Sequence, residues 1–101
     1  MQFFVIGDED TVLGFRLAGV EGDIVRTPEE TRDSLERAFQ KPQAGIIIMT
    51  ERAAESVRQQ VDQYVYKSEL PLIIEIPDLR GPMEGRKTVK EMIRQAVGVQ
   101  L

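Results

Sequence analysis

Three consecutive carboxylates, Asp8, Glu9 and Asp10, stand directly after the apolar run Phe3 to Ile6 and Gly7. Paired acids at the end of a first strand can hold a divalent cation through oxygen ligands, and magnesium is the ion that such ligands suit. An ion there could assist phosphoryl transfer if an acceptor stood close by, and in an open parallel sheet the end of the third strand is the neighbouring position. The third apolar run ends in Met49 and Thr50, so no aspartate is in place to accept a phosphoryl group. An ion at Asp8 and Asp10 would have nothing to activate. The same acids have a plainer reading as a helix start, with Asp8 or Asp10 capping the amino end and the acidic first turn matched to the positive end of the helix dipole.

Other chemistries are narrower still. The chain has no cysteine and no histidine. That removes the thiol nucleophile, the cysteine zinc site, the usual general base near neutral pH and the commonest transition-metal ligand. The glycines from Gly7 to Gly19 fit neither the G-x-G-x-x-G fingerprint nor the P-loop, and three carboxylates beside them would repel a phosphate. The net charge is −4, unevenly spread: residues 1 to 79 hold 15 acids against 8 bases, whereas residues 80 to 101 hold 2 acids against 5 bases. An acidic body disfavours nucleic acid, and five bases are few for tracking phosphates. No catalytic residue, cofactor or metal ligand is therefore expected. The start MQFFVIGDED lacks the basic flank of a signal peptide, no apolar run approaches the roughly 18 residues of a membrane span, and the missing cysteines agree with a reducing compartment. These features predict a cytoplasmic protein without direct membrane insertion.

The elements that must position these residues can be read from hydrophobic periodicity. At 101 residues the chain is long enough for one modest core. The runs FFVI, IIIM and LIIEI are nearly continuous in apolar residues, the pattern of parallel strands covered on both faces. A shorter run at Ile24 and Val25 is flanked by charges and reads as an edge strand. Between them, Thr27, Pro28 and Glu30 make a capping box with proline at the first helical position, and Thr31, Leu35, Ala38 and Phe39 fall on one face. Thr50 can cap the next helix, whose stripe is Ala54, Val57, Val61, Tyr64 and Val65. Right-handed crossovers then predict an α/β fold: a small, Rossmann-like, four-stranded parallel sheet in the order 2-1-3-4 with helices on both faces.

Two features are left over. Gly14 lies inside the first predicted helix, where glycine costs about 1 kcal/mol relative to alanine. Close packing on the sheet is the favoured reason, and approach by a partner, with Phe15 and Arg16 as contacts, is the other. After the fourth strand, PDLRGPMEGR has the composition of a linker. Beyond it, Val89, Met92, Ile93, Ala96 and Val97 share one helical face, and Lys87, Lys90, Glu91 and Arg94 lie opposite. The expected organisation is a body over 1–77, a linker over 78–86 and an amphipathic helix over 87–101. A helix of about 12 residues is marginal alone in water, so it must dock somewhere. It either folds back over the sheet or lies on a partner.

VIGDEDTVLGFRLAGV closely resembles the amino-terminal signature of the F subunit of the V-type and archaeal A-type ATP synthases. GIIIMTE, LPLIIEIP and VKEMIRQAVGVQL extend the resemblance over essentially the whole chain, and GFRLAG at Gly14 to Gly19 is its most specific part. The resemblance implies a receiver-like body with a mobile carboxy-terminal helix, acting as a non-catalytic rotor component. Its implied partners are the coiled-coil D subunit and the subunit connecting stalk to membrane ring, with the catalytic A and B subunits affected indirectly. It implies that the carboxy-terminal helix packs along the D subunit, which makes the stripe Val89, Met92, Ile93, Ala96 and Val97 read above the candidate apolar contact, Lys87, Lys90 and Arg94 nearby electrostatic contacts, and Phe15 and Arg16 further candidates. A stand-alone receiver-like signalling domain lacking its phospho-acceptor is the alternative. A small-molecule enzyme, with its site between the Asp8 and Thr50 loops, is a third reading.

Overall fold

The nearly continuous apolar runs become the strands of the sheet, and the capped amphipathic segments become the helices that cover it. The computed structural model describes residues 2–41, 44–67 and 71–82. Strand β1 is Gln2–Gly7, α1 Glu9–Leu17, β2 Glu21–Ile24, α2 Pro28–Phe39, β3 Ala44–Thr50, α3 Glu51–Ser56, α4 Arg58–Lys67 and β4 Leu72–Ile76. The strands form one sheet in the order β2-β1-β3-β4, and each neighbouring pair is parallel. The predicted order and edge strand hold. The edge strand begins earlier than expected, at Glu21, and Val25 lies just past its end, because β2 pairs with β1 through Phe4 to Gly7.

Alternation along the strands divides the side chains between two unequal faces. Phe4, Ile6, Ile47 and Met49 point to one face, where they form a buried cluster with Leu35 and Ala38 of α2, Ala53 and Ala54 of α3, and Val61 of α4. The Phe39 and Tyr64 rings stack there at 3.9 Å between centroids, joining α2 to α4. The opposite face has α1 over β1 and β2. Val5 and Val12 are fully buried beneath it. The rows Phe3, Ile46, Leu72 and Val5, Ile48, Ile74 run across that face in register. Phe3, Leu72 and Ile74 are nonetheless about half exposed, at 51%, 50% and 45%. Continuous apolar strands predicted cover on both faces; among the described residues, the cover over β3 and β4 is one-sided.

The third connection also departs from expectation. Instead of one helix, α3 ends at Ser56 and α4 starts at Arg58, with Val57 between them at φ −131° and ψ 40°. Ala54, Val57 and Val61 are buried as predicted, but Val65 is 59% exposed. The break at Val57 rotates the later stripe, so Tyr64 stays against the core and Val65 leaves it.

Candidate functional site

In an open parallel sheet the crevice for a ligand lies beyond the carboxyl ends of the strands where the order reverses, here between β1 and β3. A crevice of about 410 Å³ lies there, with Asp8, Thr27, Thr50, Arg52, Asp78 and Arg80 in its walls. Several of the groups that could do chemistry in it already serve the fold. The Asp8 carboxylate accepts hydrogen bonds from Thr11 Oγ1 at 2.7 Å and Thr11 N at 3.2 Å, so Asp8 is the cap of α1. Partial burial opposes its ionisation, but these hydrogen bonds and the charge of Arg80 outweigh burial and hold its pKa below the ordinary 3.8. Thr27 Oγ1 accepts from Glu30 N at 3.1 Å, and Glu30 answers by accepting from Arg26 N at 2.7 Å. Thr50 Oγ1 accepts from Ala53 N at 3.2 Å. Arg52 is paired with Asp78 at 2.8 Å.

Gly7 and Thr50 face each other where β1 and β3 end. A Cβ on Gly7 would sit 2.7 Å from Thr50 Cγ2, so the close approach of the two strand ends requires glycine. Thr50 stands where phosphoryl chemistry would need its acceptor, and it serves as a helix cap instead. Among the described residues, no group of three or more acidic side chains is arranged to hold a metal ion, and no helix is long and apolar enough to cross a membrane.

The Asp8 cap makes a pH-dependent contribution whose sign follows from its lowered pKa. The folded state binds this proton less readily than the unfolded chain. Stability from the group is therefore present above about pH 4 and is lost as pH falls through the lower folded value. Asp8→Ala is expected to cost about 1 kcal/mol at pH 7. Urea melts at pH 7 and near pH 2.5 should show the difference from the parent shrinking at the lower pH; an undiminished difference would mean that Asp8 is not the cap.

The predicted contact residues divide in two. Phe15 and Arg16 lie on α1. Phe15 is partly buried, and Arg16 is exposed but donates from Nη2 to the Gly22 carbonyl at 3.1 Å, bracing α1 to β2. Lys87, Val89, Lys90, Met92, Ile93, Arg94, Ala96 and Val97 lie outside the described residues, as does part of the predicted linker. Its described part includes Asp78 to Gly81, a turn in which Gly81 N donates to Asp78 O at 2.9 Å.

Gly14 corrects the favoured expectation. Among the described residues, a Cβ placed there meets nothing within 4 Å, so the glycine is not explained by close packing on this chain's own sheet. It lines a second, shallower groove with Thr11, Phe15 and Ala18 on one wall and Ile76 and Leu79 on the other. Sequence reasoning does not single out this groove. The signal is present in Gly14 and in the apolar residues of LIIEI, but it takes the strand order to show that, among the described residues, nothing covers β4 on the α1 side.

The profile of the family described as ATP synthase (F/14-kDa) subunit matches residues 3–93. The chain belongs to that family. It is 42% identical over 100 residues to the A-type ATP synthase F subunit of Methanothermobacter thermautotrophicus, covering 96% of this chain and 92% of the relative. It is 40% identical over 106 residues to the corresponding F subunit of Thermococcus kodakarensis, covering all of this chain and 98% of the relative. The crystal structure of the V-type ATP synthase F subunit from Archaeoglobus fulgidus shares the fold with a TM-score of 0.61 and 25% identity, over 74% of this chain and 95% of that one.

Proposed function

We propose that the chain is a non-catalytic central-stalk component of a rotary ATP synthase, on the cytoplasmic side of the membrane. It binds the coiled-coil D subunit, contacts the subunit that connects stalk to ring, and modulates rotary coupling and ATP hydrolysis carried out on the A and B subunits. The observation that supports this reading most is the end-to-end match to the F subunits of A-type enzymes. The crevice adds to it, because the Asp8 carboxylate and the Thr27 and Thr50 hydroxyls in its walls cap helices and Asp78 pairs with Arg52. In this reading the body presents the segment 87–101, whose stripe Val89, Met92, Ile93, Ala96 and Val97 packs along the helices of the D subunit while Lys87, Lys90 and Arg94 meet acidic groups beside it.

The test is the double substitution Met92→Asp and Ile93→Asp in the full chain. It places two charges in the stripe and leaves the residues of the sheet core untouched. Affinity for the purified D subunit is expected to fall by at least about tenfold, and ATPase activity of a reconstituted complex to change with it. Unaltered affinity and activity would remove the segment from the proposed interface.

A further inference from the structure

Strand β2 is an edge of the sheet, and among the described residues no strand pairs its outer side. In a parallel ladder, alternate residues bond one neighbouring strand and the residues between them face the other way. Val25 N donates to Gly7 O at 2.9 Å, and Gly7 stands opposite Ile24. Asp23 and Val25 therefore bond β1, and Gly22 and Ile24 turn their N–H and C=O groups outward. An open row of this kind is a template for an added strand. The Gly22 carbonyl is taken by the exposed Arg16 of α1, whose Nη2 donates to it at 3.1 Å. Arg16 also stands between two hollows along the edge, one of about 450 Å³ beside Gly22 and one of about 300 Å³ beside Ile24, and forms part of the walls of both. Its side chain divides what would otherwise be a single trench along β2.

We propose that the β2 edge is a strand-pairing surface for a second copy of this chain, and that Arg16 keeps it closed. The charges favour a copy in antiparallel orientation. Lys41 and Glu21 lie in the hollow at the Gly22 end, and Glu30, Asp33 and Arg37 in the hollow at the Ile24 end. A copy turned end for end sets Lys41 against the two acids, and Glu21 toward Arg37, at both ends of the pair. Asp23, midway, already has its carboxylate held by Ser34 at 2.7 Å and Arg37 at 3.1 Å, which offsets the repulsion that like charges bring to facing strands. The inference concerns the isolated chain and does not rest on the stalk assignment.

Sedimentation equilibrium of the full chain tests it. Arg16→Ala is expected to self-associate at least about tenfold more tightly than the parent, the scale of one charge-assisted hydrogen bond that a pairing strand no longer has to displace. Arg16→Met, which keeps the aliphatic stem and loses only the donors, should behave likewise. In both variants, exchange of the Ile24 amide should slow several-fold as concentration rises, with that of Val61 in α4 unchanged. Adding Ile24→Pro to Arg16→Ala removes an outward N–H that β1 does not use, and should return association to the parent's level with the amide spectrum of the fold retained. Association of both Arg16 variants no tighter than the parent's would overturn the proposal. Tighter association that survives Ile24→Pro, or that leaves Ile24 exchange unchanged, would overturn it equally, because the contact would then lie elsewhere.

Discussion

Ile47→Ala should lower the free energy of unfolding by about 3 to 4 kcal/mol, within the range measured for deleting a large aliphatic side chain from a close-packed core. Ile47 is fully buried in β3 and pairs on one side with Phe4 and on the other with Ile73. Its side chain enters the cluster shared by α2, α3 and α4. Strands and helices press on that site from several directions, so the surroundings cannot collapse into the space left behind. For a domain of this size, whose total stability is on the order of 5 to 15 kcal/mol, such a loss brings the chain close to its folding threshold. A urea melt should show a lower midpoint with an unchanged slope. Ile48→Ala, one residue on and facing the α1 side, is the internal comparison. Its partly exposed side chain should cost clearly less, and equal costs would contradict the unequal faces.

Arg58→Met carries the second largest expected loss, about 2 kcal/mol, a figure set by the partial exposure of the pair it breaks. Arg58 opens α4 and meets Glu75 of β4 with two parallel hydrogen bonds of 2.7 Å. Glu55 lies at 2.9 Å and Asp62 at 3.5 Å from the same guanidinium. The hydrogen bonds to Glu75 raise the already high pKa of Arg58, against partial burial. Removing one member of a fully buried pair costs about 3 to 5 kcal/mol. The two side chains here are 28% and 21% exposed, so solvent screening reduces the figure. Most of the loss comes from a Glu75 carboxylate deprived of its guanidinium while the strand holds it in place. Arg58→Met combined with Glu75→Gln should therefore recover part of the stability lost in the single variant. A double variant as unstable as the sum of the two singles would show that the pair is not coupled.

The strands are legible in the sequence because FFVI, IIIM and LIIEI are too short and too apolar to be amphipathic helices, and their spacing leaves room for crossovers. The caps are legible for a local reason: Thr27 with Glu30, Thr50, and Asp8 bond to backbone groups within a few residues of themselves. Val57 is not legible as a break, since it fits the helical stripe and the interruption depends on how α3 and α4 meet the sheet. The Arg58 to Glu75 brace spans 17 residues and needs β4 to lie beside α4 before it exists. Gly14 stands out as unusual in the sequence, but packing on the sheet fails as its explanation because a lone sequence cannot show which half of a face the described helices leave open. The acids at Asp8 to Asp10 are separated from catalysis by what stands at Thr50, by the missing histidine and cysteine, and by the cap that Asp8 makes.

The one-sided cover seen in the fold sorts the residues by what they answer to. Side chains turned toward α2, α3 and α4 are fixed by the chain's own packing, so changes there register as loss of the fold. Those turned the other way, from Gly14 through Ile74 to Leu79, are not consumed in that packing. A library of variants would thus split into two phenotypic classes along the plane of a single sheet. Along β4, abundance would fall with changes at Ile73, which packs on the core, and hold with changes at Leu72 and Ile74, so that alternate residues of the same strand fall into different classes.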